Sequence, residues 1–194
     1  MKSMFIVGLL VLCLAQAGYV SAQTAGKAQN SAKPQKASLT LAVDAATPPA
    51  QLIAVSSGQN GNEADMVTVL IADVLVKNGY VVVPSLTVTF EGTAVAAGHV
   101  PVAYLFKKGM MIASAFIIDG AATFSDINQG FLEQAPNPVT VKVDLRNVPD
   151  VAETVIAGIE SDSLVVLGSL GKPLAKKLVS GEAVGEVQSI VKEK

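Results

Sequence analysis

The chain holds one histidine, His99, and one cysteine, Cys13. Nucleophilic and metal chemistry would have to pass largely through these two. A Ser-His-Asp arrangement would use His99 with Ser85 or Ser114 and one of the aspartates. No Gly-x-Ser-x-Gly elbow occurs. His99 lies in the loop-like stretch AAGHVP, where a surface or turn role is expected. A single histidine without a second cysteine does not supply a zinc site. The carboxylates are scattered. Glu63 and Asp65 suit a helix N-terminus, Asp162 suits a cap, and Asp119 and Asp150 suit turns. No spacing marks a glycosidase-type pair. Gly58-Gln59-Asn60-Gly61 sits between an expected strand and an expected helix, where helix N-terminal amides can meet an anion. It lacks GxGxxG and Walker spacing, and Glu63 and Asp65 would repel phosphate there. No catalytic, cofactor-binding or metal-binding residue is expected, and no cofactor.

The N-terminus sets the compartment. Lys2 precedes an apolar run from Met4 to Ala15, too short for the roughly 20 residues of a stable transmembrane anchor. Val20-Ser21-Ala22 then offers small or β-branched residues for a cut after Ala22. Residues 1–22 read as a cleavable signal peptide, and the protein as periplasmic or secreted. Cys13 lies inside the apolar run with Leu12 before it, a poor context for lipid attachment. It is expected to be lost on cleavage, so no transmembrane or lipid anchor is expected afterwards. Residues 23–37 (QTAGKAQNSAKPQKA) lack apolar periodicity and read as a disordered linker.

Composition narrows the partners. The net charge is −2, and Lys107-Lys108 and Lys176-Lys177 are the only basic pairs, each near an expected helix C-terminus. No basic stripe invites nucleic acid. Without Cys13 the chain has no thiol, so a packed core must supply its stability. It has the means: 51% of residues are hydrophobic, while aromatics are 5% and tryptophan is absent. The mean hydropathy of +0.49 suggests a large buried interface or membrane contact.

Residues 38–194 are expected to form a single α/β domain with a helical C-terminal tail. Leu39–Val43 and Gln51–Ser56 read as strands. Asn62 to Asn78 reads as the clearest helix, with Asn62 as N-cap, Met66, Val67, Leu70, Ile71, Val74 and Leu75 as its apolar face, and Gly79 as its stop. Tyr80–Val83 follows as a strand. Residues 51–83 therefore read β–α–β, with parallel pairing and a right-handed crossover. Leu86–Phe90 reads as a short strand. Pro101 can open a second helix through Lys108. Met110–Ile118 (MMIASAFII) reads as a buried strand, closed by a hairpin turn at Asp119-Gly120 with return through Ala121–Phe124. Val139–Leu145 alternates cleanly: Val139, Val141, Val143 and Leu145 face one way, Thr140, Lys142 and Asp144 the other. An antiparallel hairpin over 139–160 is expected. Short helices are expected at 173–179 and 182–192. The sheet is expected to be mixed, in two or three layers, with helices packed on it.

This order of elements resembles the small periplasmic α/β domains of the curli-secretion-channel lipoprotein family. That group includes relatives that assist flagellar outer-membrane assembly or activate penicillin-binding proteins. The resemblance spans Leu52 to Glu160 and is carried by ADMVTVLIADVLVKNGYVVV (64–83) and VTVKVDLRN (139–147). It implies a non-enzymatic role in envelope assembly, through protein contacts with envelope proteins or by homo-oligomerisation. The alternative from the residues alone is a periplasmic small-ligand-binding protein or carboxylate-based hydrolase. Membrane insertion of the apolar 101–124 region is opposed by the Lys107-Lys108-Gly109 break and the Asp119-Gly120 turn.

Overall fold

A computed structural model describes residues 36–58, 61–133 and 137–193. The expected signal at 1–22, and residues 23–35 of the expected linker, lie outside them. The α/β expectation is overturned: the described chain is a β-sandwich with one four-residue helix. Its strands are β1 (Ser38–Val43), β2 (Leu52–Gly58), β3 (Gly61–Lys77), β4 (Tyr80–Glu91), β5 (Val102–Lys107), β6 (Met110–Phe116) and β7 (Ala121–Phe124). There follow β8 (Gln129–Leu132), β9 (Pro138–Leu145), β10 (Glu153–Glu160), β11 (Leu164–Gly168), β12 (Val179–Val184) and β13 (Gln188–Lys192). The helix, α1, is Thr93–Ala96.

One layer has the order β12-β1-β3-β9-β5-β6, antiparallel except for β1 and β12. The other is built along β4. The first half of β4 pairs β11 on one side and β8 on the other, and its second half pairs β10 and β7. Two strands divide themselves between layers. In β12, Val179–Gly181 pair with β1, and Glu182–Val184 pair with β10. In β2, Leu52–Val55 pair with β13 and Ser56–Gly58 with β3. Leu41, Ala72, Val74 and Val139 of one layer meet Val83, Leu86, Phe131 and Ile159 of the other. These belong to one continuous apolar core.

The expected helix at 62–78 is strand β3. Its run is apolar on both faces, so it satisfies a 3.6-residue and a two-residue period together. Leu70, Ala72, Val74 and Val76 are buried, while Ile71, Asp73, Leu75 and Lys77 point outward. Val67, Thr68, Val69, Ile71, Val74 and Val76 are β-branched, which favours the pleated form. Two register shifts bend the strand near Ala64–Val67 and Thr68–Leu70. The second puts Val69 and Leu70 in succession into the core. Asn78 and Gly79, read as a helix stop, both have positive φ and turn the chain from one layer to the other. The β–α–β unit and its crossover are therefore absent.

The other expected helices are also corrected. Residues 102–107 form β5, in which Ala103 and Leu105 are buried and Pro101 opens the strand, a place proline suits equally well. Lys107 ends that strand, and Lys108-Gly109, both at positive φ, form a two-residue hairpin loop into β6. The tail carries a 3-10 turn at Lys176–Leu178, then β12 and β13. The expected hairpin over 139–160 does not form. β9 and β10 lie in different layers, because Asn147 to Ala152 carries the chain across. The antiparallel alternation of β9 itself, and the Asp119-Gly120 turn with its reciprocal Ile118–Ala121 bonds, are present.

Gly181 lies where β12 leaves one layer for the other. Its φ is +84°, and an added Cβ would stand 2.2 Å from the Leu41 carbonyl oxygen. Gly181→Ala is expected to destabilise the fold by about 2–4 kcal/mol. Urea denaturation at unchanged m would read this, and an unshifted midpoint would contradict the role given to the glycine.

Candidate functional site

The sequence-nominated residues do not converge on a catalytic arrangement. His99 follows α1, and its Nδ1 lies 2.8 Å from Glu153 Oε2 on β10. Its carbonyl accepts from the Arg146 N–H. Ser85 sits within β4, opposite Val165. Ser114 lies on β6. Gly58 and Gly61 are paired at a hairpin end, with Gln59 and Asn60 outside the described residues, so no helix N-terminus exists there for an anion. Asp162 lies in a 3-10 turn without a side-chain capping bond.

Glu63 and Asp65 have a different partner from the one expected. Arg146, just past β9, reaches Asp65 at 2.5 Å, Asp144 at 3.1 Å and Glu63 at 3.8 Å. It also donates to the Leu145 and Ala64 carbonyls. Asp144 accepts from the Met66 N–H through Oδ1 and from Tyr104 and Arg146 through Oδ2. Burial opposes the Arg146 charge. The Asp65 hydrogen bond and the charges of Asp144, Asp65 and Glu63 outweigh it and hold the guanidinium above its ordinary pKa. The hydrogen bond to Asp144, reinforced by burial, raises the Tyr104 hydroxyl above its ordinary value. The cluster holds the β3 bulge, where Met66 has positive φ, against β9 and β5. Chemically it is a polar clasp.

A second carboxylate group lies on the same layer. Burial raises the Asp73 pKa, and the neighbouring Asp44 charge and hydrogen bond raise it further.

The feature with outward reach is β6. It was expected to be buried, yet it is the last strand of its layer. Met110 and Met111 are 68% and 53% exposed, Phe116 is 73% and Ile118 is 68%. The N–H of Ile117 bonds the Pro101 carbonyl, while Ala115 and Ala113 stand opposite Ala103 and Leu105. Antiparallel alternation then turns the backbone N–H and C=O of Ser114 and Phe116 away from β5. No strand pairs that side among the described residues. The hairpin carrying β6 is held from behind. Lys107 Nζ donates to the Gly130 carbonyl and lies 4.0 Å from the Phe131 ring centroid. Burial, then the Lys108 charge, lowers the Lys107 pKa. The sequence does show that Met110 to Ile118 lacks any charge. It does not show which strands stand beside it.

No family model and no curated protein matches the chain. Among solved structures it is similar to a cohesin module from a Clostridium perfringens family 33 glycoside hydrolase, with a TM-score of 0.36 and 14% identity over 81% of this chain and 98% of that one. The N-terminal domain of PorA gives 0.36 and 7% over 80% and 97%. The E. coli CFA/I adhesin CfaE gives 0.37 and 9% over 81% and 49%. Overlaps this loose carry no argument about role.

Arg146→Ala is expected to cost about 1–3 kcal/mol, since it leaves the buried Asp144 and the half-buried Glu63 without this counter-charge. Arg146→Lys should recover less than half, lacking the planar fork. Chemical denaturation reads both. Asp73 has the opposite sign. Its raised folded pKa gives stability that is present below the unfolded pKa and lost as pH rises through the folded one. Asp73→Asn is therefore expected to raise Tm at neutral pH, with the gain fading below about pH 4. A pH series of thermal melts checks this.

Proposed function

We propose that this protein is an exported, non-catalytic module of the cell envelope that works through protein–protein contacts. The observation that carries the reading is the β6 edge. It combines unpaired backbone groups with four exposed large apolar side chains in nine residues. Such an edge is ordinarily shortened, charged or covered, because it invites another strand. β-strand addition is a common mode of protein recognition, the backbone supplying affinity and alternate side chains specificity. Export rests on the charged start, short apolar core and small-residue site of residues 1–22. The family resemblance lends no support, because the α/β element order that carried it is not the fold of the chain.

One observation favours a second reading, the binding of an apolar small ligand. Tyr80, Leu132, Leu170, Pro173, Leu174 and Leu178 border an open groove of about 1100 Å³. A thermal-shift screen with fatty acids and other apolar ligands would separate the two. Stabilisation lost in Leu174→Asp would favour the groove.

The main reading is tested in the native cell. A photo-crosslinking residue at Ser114 is expected to give a light-dependent protein adduct, and one at Glu186 is not. Envelope fractionation should recover a chain beginning at Gln23. Absence of any Ser114 adduct would count against the contact role, and an intact Met1 start in the cytosol against export.

A further inference from the structure

We infer that β6 pairs with β6 of a second copy, antiparallel about a two-fold axis at Ala115. This rests on the contact role proposed above and names its partner. Four observations lead to it.

The first is the backbone. Ser114 and Phe116 both turn N–H and C=O outward, so a two-fold at Ala115 sets Ser114 against Phe116 of the second copy, and the reverse. Each opposed pair exchanges two hydrogen bonds, giving about four across the seam. Ala115 meets its own copy as the non-hydrogen-bonded pair between them.

The second is regularity. The β5–β6 register shifts between Leu105 and Phe106, leaving Ile112 as the extra residue of a bulge. The half of β6 from Ala113 to Phe116 stays regular, and it alone can accept a new strand in register.

The third is side-chain size. Ser114 and Phe116 project from the same face of the layer and are both exposed. The two-fold places each large ring beside a small hydroxyl, so the seam interdigitates rather than clashes. Directly opposed side chains are the unit of stabilisation in a sheet.

The fourth is charge, and it selects a second copy over a generic strand. A two-fold axis sets a strand against itself, so one charge in the seam repels its own image. Met110 to Ile118 carries none. Just beyond, the charges are opposite: Lys108 at one end and Asp119 at the other, both exposed. Antiparallel self-pairing brings the turn holding Lys108 beside the turn holding Asp119 of the other copy. Parallel pairing would bring like charges together. The strand is thus complementary to itself in one orientation, as an isologous interface requires.

The test uses the purified full chain in sedimentation velocity from micromolar to millimolar concentration. A monomer–dimer equilibrium is expected. Ser114→Lys and Phe116→Lys, both at exposed positions, are each expected to weaken it more than about tenfold, by setting like charges together in the seam. Circular dichroism matching the parent chain would show that they fold. Ala115→Cys in a Cys13→Ser background should form a disulfide dimer on mild oxidation, because opposed non-hydrogen-bonded Cα atoms lie about 4.5 Å apart. Ser169→Cys in the same background should remain monomeric. A monomer throughout the range, a dimer indifferent to both lysines, or an unlinked Ala115→Cys would overturn the pairing. A monomer that still gives a Ser114 adduct to a different protein in cells would sink the two-fold alone. A monomer with no adduct would sink the contact role as well.

Discussion

A buried peptide group must have a hydrogen-bond partner, and the architecture follows from how the strand edges meet that demand. Two stacked sheets expose four edges. Here β12 and β2 each spend half their length in one layer and half in the other, joining the layers by continuous backbone pairing. The change of layer in β12 needs close backbone approach and left-handed geometry, which is why Gly181 lies against the Leu41 carbonyl. The long spine β4 serves four partner strands, two along each side. β7, β8 and β11 pair only with β4, and β6, at the end of the other layer, pairs only with β5.

Polar chemistry is arranged around the same constraint. β3 is long and bent, and its bulges interrupt the ladder to β9. The Met66 N–H released there is taken by Asp144, which Arg146 and Tyr104 hold in turn. Glu63 and Asp65 of β3 are thus gathered with Asp144 on one guanidinium. Lys107 is similar: its ammonium is spent on the Gly130 carbonyl and the Phe131 face, anchoring the hairpin that presents β6. Rigid support behind an exposed strand is what recognition by strand addition requires, since a strand that must first be ordered binds less tightly.

The sequence was legible wherever a local rule had one solution. The β9 segment alternates apolar and polar residues without ambiguity and is a strand with a covered and a wet face. Asp119-Gly120 supplies two left-handed residues and makes a tight turn. The segment 62–78 had two solutions. Its apolar residues occupy both faces, so helical and extended periods fit equally, and only its β-branched content pointed to the strand. Pro101 and Gly79 each fit two solutions for a related reason. Proline starts strands as well as helices, and glycine ends either. The Arg146 clasp joins residues 63–65 to 144–146, a pairing that no local pattern encodes.

What the sequence by itself determined is a cysteine-poor, apolar chain with a signal-like start and a core rich in valine, leucine and isoleucine. Local composition suffices for that, because hydrophobicity, charge and turn propensity belong to the residues themselves. Only the tertiary structure decided that the chain is a sandwich and that MMIASAFII, as apolar as any core strand, stands at an edge. Burial is a property of neighbours. A strand is interior only when partners lie on both sides, and the partners of β6 were set by the pairing of β5, β9 and β3 far along the chain.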